Sequence, residues 1–120
     1  MVAAPSASAW TYSLSTGTSR PYGGWGEATI DFGNSSIEAC DLGGKDGLRA
    51  VAMVSWTGMV DSPIEAQDTN GSNGYERCSG DLTFWGPETG TAYTFKACLR
   101  DGATGTPQLC STHKGSWGYN

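Results

Sequence analysis

Apolar and polar side chains alternate most strictly between residues 92 and 114. Tyr93, Phe95, Ala97 and Leu99 fall between Thr94, Lys96, Cys98 and Arg100, the period of two that a half-buried strand requires. Asp-Gly at 101–102, Gly105 and Pro107 interrupt the run, and these residue types turn a chain. Leu109, Ser111 and His113 alternate with Cys110, Thr112 and Lys114 on the return. The pattern predicts a β-hairpin. If Cys98 faces Cys110, then Leu99 faces Leu109 and Phe95 faces His113. Both cysteines then leave the face that holds Tyr93, Phe95, Ala97 and Leu99. Pattern, turn and cysteines agree, as they do in a sequence that specifies its structure.

The rest of the chain reads in the same way. Residues 10–14 (WTYSL), 27–32 (EATIDF) and 37–42 (IEACDL) are short strand candidates. Residues 48–57 (LRAVAMVSWT) are the most apolar run. Leu48, Ala50, Ala52, Val54 and Trp56 share one face, and Val51 and Met53 make the other partly apolar, as in a central strand. Residues 59–66 are a weaker strand interrupted by Pro63, which suits an edge. Residues 81–85 (DLTFW) are another strand, and Trp56 and Trp85 are both assigned to the core. Turn signals stand at 33–34, 43–47, 68–74 and 86–90. No helix and no internal repeat is evident. Seven or eight strands, with a turn signal every 8–12 residues or so, predict an all-β antiparallel sandwich or small barrel.

Composition narrows the class. Gly is 18 of 120 residues and aromatics are 11%. Turn formers at that level suit a β protein with many loops, and disordered chains lack such aromatic content. The net charge is −5 and the seven basic residues are scattered, which argues against nucleic acid and against an anionic membrane surface. No apolar run approaches the ~20 residues of a membrane span.

Cys40, Cys78, Cys98 and Cys110 are even in number and widely spaced. With no C-x-x-C and only one histidine, a local zinc site cannot be assembled. Four cysteines allow three pairings. The hairpin register favours Cys98–Cys110, and Cys40–Cys78 follows by elimination. Disulfides place the protein in a secreted or extracellular compartment. Residues 2–9 read VAAPSASA, and Ala7-Ser8-Ala9 is a small-x-small sequence of the kind signal peptidase cuts after. Residues 1–9 are therefore expected to be a signal-peptide remnant or a disordered tail, and 10–120 a single domain.

The segment GPETGTAYTFKAC resembles the start of strand F in fibronectin type III and immunoglobulin-like sandwiches. The resemblance covers residues 48–114. It implies that the Tyr93 hydroxyl bonds back to the preceding corner and that Trp56 is the buried tryptophan. The cysteines do not sit where an immunoglobulin inter-sheet disulfide would place them. SWTG at 55–58 and the FKACLRDG…C pattern resemble small secreted proteins of actinobacteria such as Streptomyces. That similarity implies a secreted, non-enzymatic domain.

Candidate chemistry is sparse. Asp68, Asn70, Ser72, Gly74 and Glu76 are spaced as a calcium loop begins. Asn73 stands where such a loop wants Gly, and Ser79 where it wants Glu, so a polar turn is the better reading and no metal or cofactor is assigned. Arg20, Tyr22 and Trp25 lie in a loop at 15–26 stiffened by Pro21. Arginine and aromatics are enriched at binding hot spots, and these three are the binding candidates. A blocking loop on a disulfide-stapled scaffold is also how small Streptomyces enzyme inhibitors work, and the chain is similar to the amylase inhibitors among them in size and disulfide count. Trp10, Trp25 and Trp117 are the exposed tryptophans expected of a sugar platform. His113, with Ser111 two residues away, is the one candidate general base, and nothing marks an activated nucleophile. Asn34-Ser35-Ser36 and Asn70-Gly71-Ser72 are glycosylation sequons. The expected function is a secreted protein-interaction module: a subunit or adaptor of an extracellular assembly, or an inhibitor of a secreted enzyme. A carbohydrate-binding module is the alternative and a small hydrolase the third.

Overall fold

The computed structural model describes residues 11–16, 25–42, 48–59, 63–68, 77–101, 105–106 and 108–118. Within them run β1 (Thr11–Ser15), β2 (Trp25–Asp31), β3 (Ser36–Leu42), β4 (Leu48–Trp56), β5 (Ile64–Gln67), β6 (Arg77–Thr83), β7 (Ala92–Asp101) and β8 (Gln108–Ser116). They form two four-stranded sheets, β1-β2-β3-β6 and β5-β4-β7-β8, antiparallel throughout. No helix occurs among the described residues, so none there could cross a membrane. The expected tail at 1–9 lies outside them.

The alternation read from the sequence builds the core. Ala28 and Ile30 of β2 and Ile37 and Ala39 of β3 face Ala50, Ala52 and Val54 of β4 and Phe95 and Ala97 of β7, all buried. Alanine is frequent at these positions, so the sheets approach closely. Gly26 marks the tightest point: a Cβ there would lie 2.9 Å from Ala50 Cβ and 3.3 Å from Leu99 Cδ2. Val51 and Cys98 are buried on the other face of their sheet. This is the central-strand character expected of β4.

Both disulfides have the expected partners. Cys40–Cys78 joins β3 to β6 and Cys98–Cys110 joins β7 to β8. Each lies within one sheet, and each sits where the register slips. Ala39 faces Gly80 but Asp41 faces Arg77, leaving one extra residue on β6. Ala97 faces Ser111 but Leu99 faces Gln108, leaving one extra residue on β8. These are β-bulges, two residues against one. The hairpin keeps the expected Phe95–His113 pairing. The expected Leu99–Leu109 pairing is corrected to Leu99–Gln108, because Leu109 and Cys110 together oppose Cys98. The Cα separations at the disulfides are 4.1 and 4.2 Å, near the ~4.5 Å of the close-approach pairs in an antiparallel ladder.

The registers also order the two ends of the sandwich. Ser15, Trp25, Leu42, Leu48, Gln67, Arg77, Asp101 and Gln108 lie at one end. Asp31, Ser36, Trp56, Ile64, Thr83, Ala92 and Ser116 lie at the other. Strand β5 begins after Pro63 and is an edge, as the proline required.

Candidate functional site

The second of these ends is filled by aromatic rings. Trp117 is 3% exposed and is their hub. It meets Phe32, Trp56, Phe84 and Tyr93 edge-on at centroid distances of 5.1–5.9 Å. Trp56 stacks on Phe84 at 5.8 Å. The backbone around this cluster is pinned. Phe84 N–H donates to Ser35 O at 2.9 Å, Gly90 N–H to Trp117 O at 2.8 Å, and Trp117 N–H to Thr91 O at 2.8 Å. At Gly86 a Cβ would fall 2.6 Å from Ser35 Oγ and 2.9 Å from Trp117 Cζ2, so the chain runs directly over the Trp117 ring. With Phe84 turned inward and Gly86 pressed on Trp117, the side chain between them turns out. Trp85 is 96% exposed. Leu82, at the edge of the same strand end, is 39% exposed. A hollow of about 330 Å³ beside Trp85 is lined by Thr83, Phe84 and Trp85.

Two tryptophan expectations are corrected here. Trp85 is not in the core, because β6 ends at Thr83 and Phe84 takes the inward position. Trp117 is not exposed, because the C-terminal segment folds over the end of the sandwich. Trp56 packs against the core as expected. Trp10, Arg20 and Tyr22 lie outside the described residues, and Trp25 opens β2 with its side chain outside them. One signal for Trp85 was present in the sequence: of two adjacent aromatics on an extended chain, only one can face the core.

Other candidates make contacts that join strands. His113 stacks on Tyr12 at 4.0 Å, tying β1 to β8 across the two sheets. Tyr93 lies 6.0 Å from the same ring. Its hydroxyl is pushed up to about 12, first by burial and then by the proximity of Tyr12. That hydroxyl finds no hydrogen-bond partner among the described residues. The corner bond implied by the fibronectin resemblance is therefore not formed there, because the ring points between the sheets toward Tyr12 and His113. Asp68 is fully buried, and its Oδ2 accepts the Asp41 N–H at 2.8 Å beside the β3–β6 bulge. It holds that amide. Asn70, Ser72, Gly74 and Glu76 lie outside the described residues. Glu38, Cys40 and Cys78 come together, but the two sulfurs are bonded to each other and offer no thiolate to a metal.

The outward face of the β5-β4-β7-β8 sheet is the second distinctive surface. Arg100 reaches from β7 across β4 to Glu65 on β5. Both of its terminal nitrogens donate to the carboxylate, Nη2 to Oε2 at 2.8 Å. Gln67 Nε2 donates to Glu65 Oε1 at 2.6 Å, and Arg49 Nη1 to Gln67 Oε1 at 3.0 Å. The Arg100 hydrogen bond holds the Glu65 carboxyl below its ordinary range, against the opposing effect of burial. Glu65 in turn raises Arg100. Farther along the same face, Met53, Val54, Ser55, Pro63, Thr94, Lys96, Thr112 and Lys114 line an open groove of about 360 Å³.

In comparisons with known proteins, no family model, no curated relative and no solved structure matches the chain. Two disulfides are the covalent state typical of extracellular proteins.

Proposed function

We propose that the chain is a secreted, non-catalytic protein-interaction module that uses Trp85 as its anchor. The observation that carries this reading is the 96% exposure of Trp85 beside the pinned Phe84 and Gly86. A tryptophan held out by its neighbours loses little freedom on binding, and rigid aromatics are the commonest hot spots. Burying its ~150–250 Å² at about 25 cal/mol per Å² is worth roughly 4–6 kcal/mol before the costs of association. The surroundings favour a protein over a sugar. Thr83 is the one hydroxyl side chain lining the hollow, with Phe84 and Trp85, and Leu82 extends the apolar surface. A sugar stacked on the ring needs several polar side chains beside it to bond its hydroxyls, and Thr83 alone supplies one in the hollow. Export is supported by the disulfides and by the Ala7-Ser8-Ala9 sequence.

The test is capture from culture supernatant of the native host on immobilised protein, with Trp85→Ala and Arg20→Ala/Tyr22→Ala run in parallel. A partner retained by the wild type and released at least tenfold by Trp85→Ala, ~1.4 kcal/mol, is the expected result. Equal retention by Trp85→Ala would overturn the anchor. Loss with the Arg20/Tyr22 variant alone would move the site to the segment that carries those two residues. Binding to neutral glycans that requires Trp85 would replace the protein-interaction reading with the carbohydrate-binding one.

A further inference from the structure

The chain is acidic overall, yet four of its seven basic residues, Arg49, Lys96, Arg100 and Lys114, stand on the outward face of one sheet. Among the described side chains, Glu65 is the one carboxylate at the outward strand positions there. Among the described side chains, the outward positions of the β1-β2-β3-β6 sheet hold Glu27, Asp31 and Glu38 and no basic residue. The two broad faces are thus opposite in sign. On the basic face, Arg49 and Arg100 are engaged by Gln67 and Glu65. Lys96 and Lys114 are exposed and make no hydrogen bond or ion pair with the described residues.

These two lysines frame the groove. The registers place its lining in two cross-strand rows, Met53–Lys96–Thr112 and Ser55–Thr94–Lys114. Each row offers an ammonium and at least one hydroxyl, and Met53 supplies an apolar floor. Lys96 and Lys114 are diagonal neighbours on β7 and β8, about 7–8 Å apart at the backbone. The volume, about 360 Å³, falls in the ~300–1,000 Å³ range of small-ligand sites.

We infer that this groove docks an acidic polysaccharide, a chain of uronate-type sugars whose carboxylates meet Lys96 and Lys114 while Ser55, Thr94 and Thr112 take ring hydroxyls. Charge complementarity selects an anion. The rows run across the strands, which disfavours an extended peptide added as a strand. The groove crosses β4, β7 and β8 rather than following an edge, so a peptide lying in it gains no strand-type hydrogen bonds. A sugar needs none, and its C–H face suits Met53. The site lies on different residues from Trp85, so the two proposals stand or fall separately.

Affinity electrophoresis and calorimetry with polygalacturonate, dextran and poly-L-glutamate test this. Polygalacturonate is expected to retard the protein at low ionic strength, dextran not to, and salt to weaken the effect. Lys96→Gln/Lys114→Gln should reduce binding at least tenfold, while Lys96→Arg/Lys114→Arg and Trp85→Ala retain it. Circular dichroism on each variant separates loss of binding from loss of fold. Absence of polygalacturonate binding, or binding unchanged in the double Gln variant, would overturn the proposal. Poly-L-glutamate binding as tight as polygalacturonate would also overturn it, in favour of an acidic peptide.

Discussion

Glu65→Gln is the sharpest perturbation of the fold. The substitution keeps shape and removes charge. Arg100, whose side chain is only 8% exposed, would lose the carboxylate that accepts from both of its terminal nitrogens. Breaking a fully buried pair costs about 3–5 kcal/mol. The Glu65 side chain keeps 27% exposure, so water screens part of the loss, and about 2–4 kcal/mol is expected. That is a large share of a typical stability of ~5–15 kcal/mol. Urea denaturation at neutral pH with disulfides intact reads it as a lower midpoint at unchanged slope. The acid limb gives an independent check. Because the folded Glu65 carboxyl is lowered from 4.5, its stabilisation is fully present above the unfolded value and is lost as pH falls through the lower, folded value. The Gln variant should lose less stability than the wild type across that acid window. Glu65→Met/Arg100→Met should recover most of the loss, since an apolar pair leaves no charge unpaired. A single-variant cost under about 1 kcal/mol would refute the reasoning and show the pair to behave as an exposed one.

Three further outcomes follow from the packing. Gly26→Ala should destabilise by about 1–3 kcal/mol in a thermal melt, because the new methyl meets Ala50 Cβ at 2.9 Å. Tyr93→Phe should shift the denaturation midpoint by less than about 1 kcal/mol, since its hydroxyl has no partner among the described residues; a larger loss would restore the corner bond. Non-reducing peptide mapping should recover Cys40–Cys78 and Cys98–Cys110, and reduction should lower the melting temperature markedly. Their loops of 38 and 12 residues correspond to roughly 4 and 3 kcal/mol in the chain-entropy model.

Strand identity and inward faces were legible because a period of two leaves few alternatives. The hairpin of β7 and β8, the centrality of β4 and the edge at Pro63 were all readable from residue type and order. The bulges were not, because an extra residue on one strand leaves the alternation of its partner intact. Trp85 and Trp117 exchanged roles for a similar reason. Which of Phe84 and Trp85 turns inward depends on Gly86 lying against Trp117, a contact between segments distant in the chain. The basic face was hidden because its lysines and arginines come from three separate strands and look scattered in one dimension. The hot-spot reading of Arg20, Tyr22 and Trp25 rested on composition alone, and the described side chains do not reach it.

The placement of the two disulfides decides how the molecule would come apart under load. Each sheet has two outer strands, and in each sheet one of them, β6 or β8, is riveted to its inner neighbour. Strand β5 is clasped by Arg100, which grips Glu65 from two strands away. That leaves β1, held by its ladder to β2, a Ser13–Thr29 hydroxyl contact of 2.9 Å and the Tyr12–His113 stack. Tension applied at the N-terminal side would therefore unzip β1 alone and stop, while the riveted strands transmit force through covalent bonds. Neither disulfide crosses between the sheets; beyond their packed core, the Asp41–Asp68 hydrogen bond and the Tyr12–His113 stack tie the two layers. A protein built this way keeps its riveted outer strands, β6 and β8, from being lent to a neighbouring copy.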